Sequence, residues 1–124
     1  MITRLIDTKS GRIAVAHSDK PVLTDGQSAL EFAVNIGYEN ECRAIIVNKE
    51  AIAEGFFQLS TGIAGEIAQK FVNFGYRLAI VGDFSGYRSK ALRDYMTECN
   101  RGAHICFVAS QEEAIAKLGG PERV

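Results

Sequence analysis

The chain has 124 residues, 47% of them hydrophobic, enough for one packed core without disulfide or metal support. Fourteen Lys plus Arg against fifteen Asp plus Glu leave a net charge of −1, which argues against a general nucleic-acid binder. No apolar run approaches the roughly 20 residues of a membrane-spanning helix, and Arg4, Asp7, Lys9 and Arg12 stand where a secretion signal needs apolar side chains, so the expectation is a cytoplasmic protein without membrane contact.

In chain order, Ile2 to Asp7 and Arg12 to His17 read as a β-hairpin with its bend at Lys9 to Gly11. Thr24 opens T-D-G-Q, a capping box with Gln27, for a helix running to Ile36 that Gly37 stops in a left-handed conformation. Arg43 to Asn48, Leu78 to Gly82 and Ile105 to Ala109 are continuously apolar at their centres, as parallel strands covered on both faces are. Between the first two, Ile63, Ile67, Phe71 and Phe74 have helical spacing over Thr61 to Phe74. Between the second and third, Leu92, Tyr95, Met96 and Cys99 mark a helix closed by Gly102. A last helix starts at Ser110 in a second capping box through Glu113 and buries Ala114, Ile115 and Leu118. Gly119 to Val124 reads as a frayed tail.

The order is β-β-α-β-α-β-α-β-α: an α/β domain over residues 1–118 with a mixed, mostly parallel sheet of about five strands and four helices. This order, with one local motif, resembles the STAS domain (sulfate transporter and anti-sigma factor antagonist). In that fold a strand leads into a loop carrying Asp-Ser-Ser-Gly or similar, and a helix begins at the serine. The matching stretch here is Phe57-Gln58-Leu59-Ser60-Thr61-Gly62-Ile63-Ala64-Gly65, with Leu59 where an acid usually precedes the serine. The stretch from Ser85 through Ser110-Gln-Glu-Glu-Ala-Ile also resembles the last helix–strand–helix of STAS domains. Thr61-Gly62-Ile63-Ala64-Gly65-Glu66, followed by Leu78-Ala-Ile-Val-Gly-Asp-Phe-Ser85, is similar to an uncharacterised bacterial family, domain of unknown function 4180. The STAS resemblance implies a non-enzymatic regulatory module that binds a protein partner, with phosphorylation at Ser60 or Thr61 as the switch.

The residues offer plainer explanations beside these. A helix N-terminus favours an anion, and a phosphate on either hydroxyl adds close to two negative charges there. Ser and Thr are also good N-caps without any modification. Gly62 and Gly65 leave room for a ligand or partner backbone, or for close packing of the helix on the sheet. Gly82 to Lys90 lies at the carboxyl end of a predicted parallel strand, where open α/β sheets bind ligands. There Arg88, Lys90 and Arg93 suit an anion and Asp83 a polar group or a metal, unless Asp83 or Ser85 simply caps the next helix and the basic residues form a solvated face. A small-anion or nucleotide sensor using this edge is the alternative function.

Charge is unevenly spread: Asp25 to Glu54 holds six acids and two bases, Ser85 to Arg101 four bases and two acids. That pattern suits a protein partner or a second copy in a homodimer, and equally an ordinary patterned surface. His17 and His104 stand alone, with no nucleophile elbow and no paired metal-ligand spacing. Cys42, Cys99 and Cys106 read as core thiols. No catalytic residue, metal or cofactor is expected.

Overall fold

Strands that are apolar on both sides need cover on both faces of their sheet. The computed structural model of the protein, which describes residues 1–119, has five strands in the spatial order β1-β2-β3-β4-β5. They are β1 (Ile2–Thr8), β2 (Gly11–Ala16), β3 (Ala44–Asn48), β4 (Arg77–Val81) and β5 (Ile105–Val108). The hairpin pair β1 and β2 is antiparallel, and every later pair is parallel. The sheet is mixed and mostly parallel, with four helices, as the apolar runs predict. No helix among the described residues is long and apolar enough to cross a membrane.

Three successive crossovers step in one direction across the sheet. Right-handed connections therefore place α1 (Gly26–Phe32), α2 (Ile63–Phe74) and α3 (Lys90–Arg101) on one face. Their side chains pack on Ala14, Ile45, Val47, Leu78, Ile80 and Phe107. Phe71 of α2 is fully enclosed there, and truncating such a residue to Ala costs about 3–5 kcal/mol. On the opposite face a single helix, α4 (Gln111–Gly119), lays Ala114 and Leu118 over Val15, Ile46, Ala79 and Cys106. The chain thus builds one thick layer and one thin one.

The helix ends depart from the expected boxes. Asp25, not Thr24, caps α1: its carboxylate accepts from Ser28 N at 2.8 Å, and Ser28 Oγ accepts from Asp25 N at 3.0 Å. Gln27 donates instead to Glu31 at 3.3 Å. After Phe32 the chain widens into a π-type turn over Ala33–Gly37 and tightens over Tyr38–Asn40. The left-handed residue that ends it is Glu41, at φ 58°, while Gly37 stays right-handed. Gly37 is needed for space, since a Cβ there would lie 2.5 Å from the Tyr76 ring and 3.1 Å from Cys42 O.

At α4, Ser110 Oγ accepts from Glu113 N at 3.1 Å, but Glu113 reaches back to Ala109 N at 3.0 Å rather than to the cap residue. The predicted tail begins one residue early. Gly119 is buried in α4 as the last described residue, with Thr8 where its Cβ would be, and residues 120–124 lie outside the described residues. Cys42 and Cys106 are buried and Cys99 half-buried, all three as free thiols.

Candidate functional site

After β3 the chain makes three short turns, Lys49–Ala51, Glu54–Phe57 and Leu59–Thr61, before α2 begins. Phe56 and Phe57 anchor this passage in the core, which leaves Ser60 and Thr61 exposed beside the start of α2. The helix starts at Ile63, two residues later than Thr61, because Gly62 takes a left-handed conformation at φ 79° as the cap. A residue with a Cβ is strained there, so the glycine sets the bend between turn and helix.

The two hydroxyls differ in what they do. Thr61 Oγ1 lies 2.7 Å from Gly55 O and 2.9 Å from Gln58 O, and accepts from Ile63 N at 3.2 Å. It ties the preceding turn to the helix and satisfies one of the free N–H groups of the first turn. The Ser60 hydroxyl makes no hydrogen bond among the described residues. Gly65 is exposed with open space where a side chain would stand, so it is not a close-packing position.

In the second loop, Asp83 Oδ1 accepts from Ser85 N at 2.9 Å and from Ser85 Oγ at 2.6 Å. These bonds hold the exposed Asp83 carboxyl below its usual range. Neither residue caps α3. Ser89 does, accepting from Leu92 N at 3.2 Å. Lys90 pairs with Asp94 one turn on, at 2.7 Å. Arg88 is exposed, with no ion pair or hydrogen bond among the described residues. No hydrogen bond or ion pair among the described residues joins Ser60 or Thr61 to Asp83, Ser85, Arg88 or Lys90.

What joins the two loops is a clamp absent from the sequence reading. Tyr87 Oη donates to Glu54 Oε1 at 2.8 Å, and its ring stacks on Phe57 with centroids 4.8 Å apart and planes 19° from parallel. Lys49 Nζ sits 4.8 Å from the Tyr87 ring centre and 5.7 Å from that of Phe57. The neighbouring Tyr87 hydroxyl keeps the Lys49 ammonium above its usual pKa. Partial burial does the same to the Tyr87 phenol. Phe84 extends the aromatic seam, edge-on to Phe107 of β5 at 5.4 Å. The available signal was aromatic density in loops: Phe56, Phe57, Phe84 and Tyr87 all fall between elements, where exposed rings are uncommon unless they pack together.

On the α4 side of the same sheet edge, a cleft of about 200 Å³ opens at the ends of β2, β3 and β4 between Thr3, His17, Asn48 and Gln111. Asn48 Oδ1 accepts from Ser18 N at 2.9 Å and its Nδ2 donates to Ser18 O at 2.6 Å, so this side chain pins the loop after β2. Among the described residues no group of three or more His, Cys, Asp or Glu converges as metal ligands do.

A family model described as Domain of unknown function (DUF4180) matches residues 8–118, from the end of β1 through almost all of α4. The chain belongs to this family. The DUF4180 match takes in both loops, the Tyr87 clamp and every parallel strand. No curated protein and no solved structure matches the chain significantly.

Proposed function

We propose that this DUF4180 protein is a non-enzymatic regulatory module of STAS-like type that binds a protein partner. Its working surface is the Ser60–Gly65 turn into α2 together with the Asp83–Lys90 loop, and phosphorylation at Ser60 or Thr61 switches it. The observation that carries this reading is the exposure of both hydroxyls at the start of α2, on a turn that Thr61 Oγ1 ties to Gly55 O, beside the Glu54 that Tyr87 of the second loop bonds. A phosphate on Ser60 adds charge at the helix start without removing any bond. A phosphate on Thr61 also takes away the proton shared between Gly55 O and Gln58 O, so it loosens the turn as well as charging it.

Intact-mass analysis of the protein from its native cells, with Ser60→Ala and Thr61→Ala controls, reads the modification directly. Affinity capture with Ser60→Glu and Thr61→Glu reads its effect on a partner. A phosphate lost in one Ala control and a partner lost in the matching Glu variant support the switch. No phosphate under any growth condition, with capture unchanged in the Glu variants, removes it.

A small-anion sensor on this sheet edge is the second reading, favoured by the cleft at the ends of β2, β3 and β4. Its volume falls below the roughly 300–1,000 Å³ of sites that enclose drug-sized ligands, which selects a small ion over a nucleotide. A thermal-shift panel of anions, with no response in Asn48→Ala, tests it.

A further inference from the structure

At the opposite edge of the sheet, where β4 and β5 begin, a cleft of about 60 Å³ lies between Arg77, His104, Cys106 and Lys117. Two cationic side chains line it. Arg77 Nη2 donates to Leu118 O at 2.6 Å, and Lys117 Nζ donates to Asn100 O at 2.6 Å. Both acceptors are carbonyls in the last turns of helices, α4 and α3 respectively. The C-terminal end of a helix carries roughly half a negative charge. Two such ends offset about one of the two positive charges, and among the described residues neither side chain has a carboxylate partner. Both cations also act on the Cys106 thiol in the cleft wall, although burial still holds that thiol above its usual pKa.

We propose that this cleft is a binding site for a small free oxyanion of the phosphate or sulfate class, held between Arg77 and Lys117. Its volume is that of about four to six water positions, too little for a nucleotide. Arg77 keeps guanidinium donors beyond the one given to Leu118 O, and Lys117 keeps two of its three protons. The site lies at the other end of the strands from Ser60 and does not depend on the proposed switch.

The test is a titration of inorganic phosphate into the full chain at constant ionic strength, with chloride as the control salt, followed by melting temperature and by phosphorus NMR line width. Phosphate at ten times its dissociation constant is expected to raise the melting temperature by roughly 5 °C, with sulfate competing and chloride inert. Lys117→Met, at an exposed position, is expected to weaken phosphate at least tenfold, as is Arg77→Met. Glycerol phosphate, too large for the cleft, binds at least tenfold more weakly than phosphate. The proposal fails if no saturable response exceeds the chloride control, if Lys117→Met leaves the affinity unchanged, or if the ester binds more tightly than the free ion.

Discussion

Replacing Thr61 by Val keeps the shape of the side chain and removes only its oxygen. That oxygen serves three groups, Gly55 O, Gln58 O and Ile63 N, at 2.7, 2.9 and 3.2 Å. A hydrogen bond contributes about 0.5–1.5 kcal/mol net, and loss of a side-chain cap about 1 kcal/mol. Because Thr61 is exposed, water reaches the abandoned carbonyls, and the sum settles near about 1.5 kcal/mol rather than at the upper limit. In urea denaturation followed by far-ultraviolet circular dichroism, that shifts the midpoint down by about 0.5–1.5 M. Thr61→Ser keeps the oxygen and retains most of the stability. Ser60→Ala, which breaks no bond, stays within about 0.5 kcal/mol of the parent. A Thr61→Val protein as stable as the parent, or a Ser60→Ala protein that loses more than Thr61→Val, would refute the division of labour between the two hydroxyls.

Gly37→Ala is expected to destabilise by about 1–3 kcal/mol, read by thermal melting, since its methyl meets the buried Tyr76 ring. Asn100→Ala should cost about 1–3 kcal/mol in urea, because the Asn100 carboxamide accepts from Phe107 N at 2.6 Å and donates to Phe107 O at 3.2 Å. Asp83 and Asp25 are held below the usual carboxyl range by Ser85 and Ser28 respectively. Their stabilising effect is therefore present above the unfolded value near about pH 4 and lost as pH falls through the lower folded values. A curve of melting temperature against pH is expected to flatten below pH 4 in Asp83→Asn. Burial raises all three thiols, so a disulfide reagent at pH 8 should label the native protein roughly tenfold or more slowly than the denatured chain, with half-buried Cys99 first.

The strands and helices were legible because each announces itself within a few residues. Ala44 to Val47 and Leu78 to Ile80 are unbroken apolar runs, and Ile63, Ile67 and Phe71 repeat at helical spacing. Helix ends were less so. Thr24 and Asp25 are both good caps, and the choice fell to Asp25 because Ser28, at the third helical position, can return the bond. The start of α2 was misplaced because no local pattern shows that Gly62 turns left-handed and that Thr61 spends its oxygen on the turn before it. The clamp was least legible. Glu54 and Tyr87 stand 33 residues apart, and Lys49 reaches them only because β3 and β4 are neighbours whose carboxyl ends share one edge. Such a meeting is a product of topology, which residue spacing does not encode.

The Asn100 carboxamide gives β5 a false neighbour. By supplying one acceptor and one donor to Phe107, it imitates the next rung of the ladder and takes the place of a sixth strand at that residue. At the other end of the sheet stands β1, whose neighbour among the described residues is β2 alone. Two copies that met through β1 of each would make a closed pair, not a growing chain.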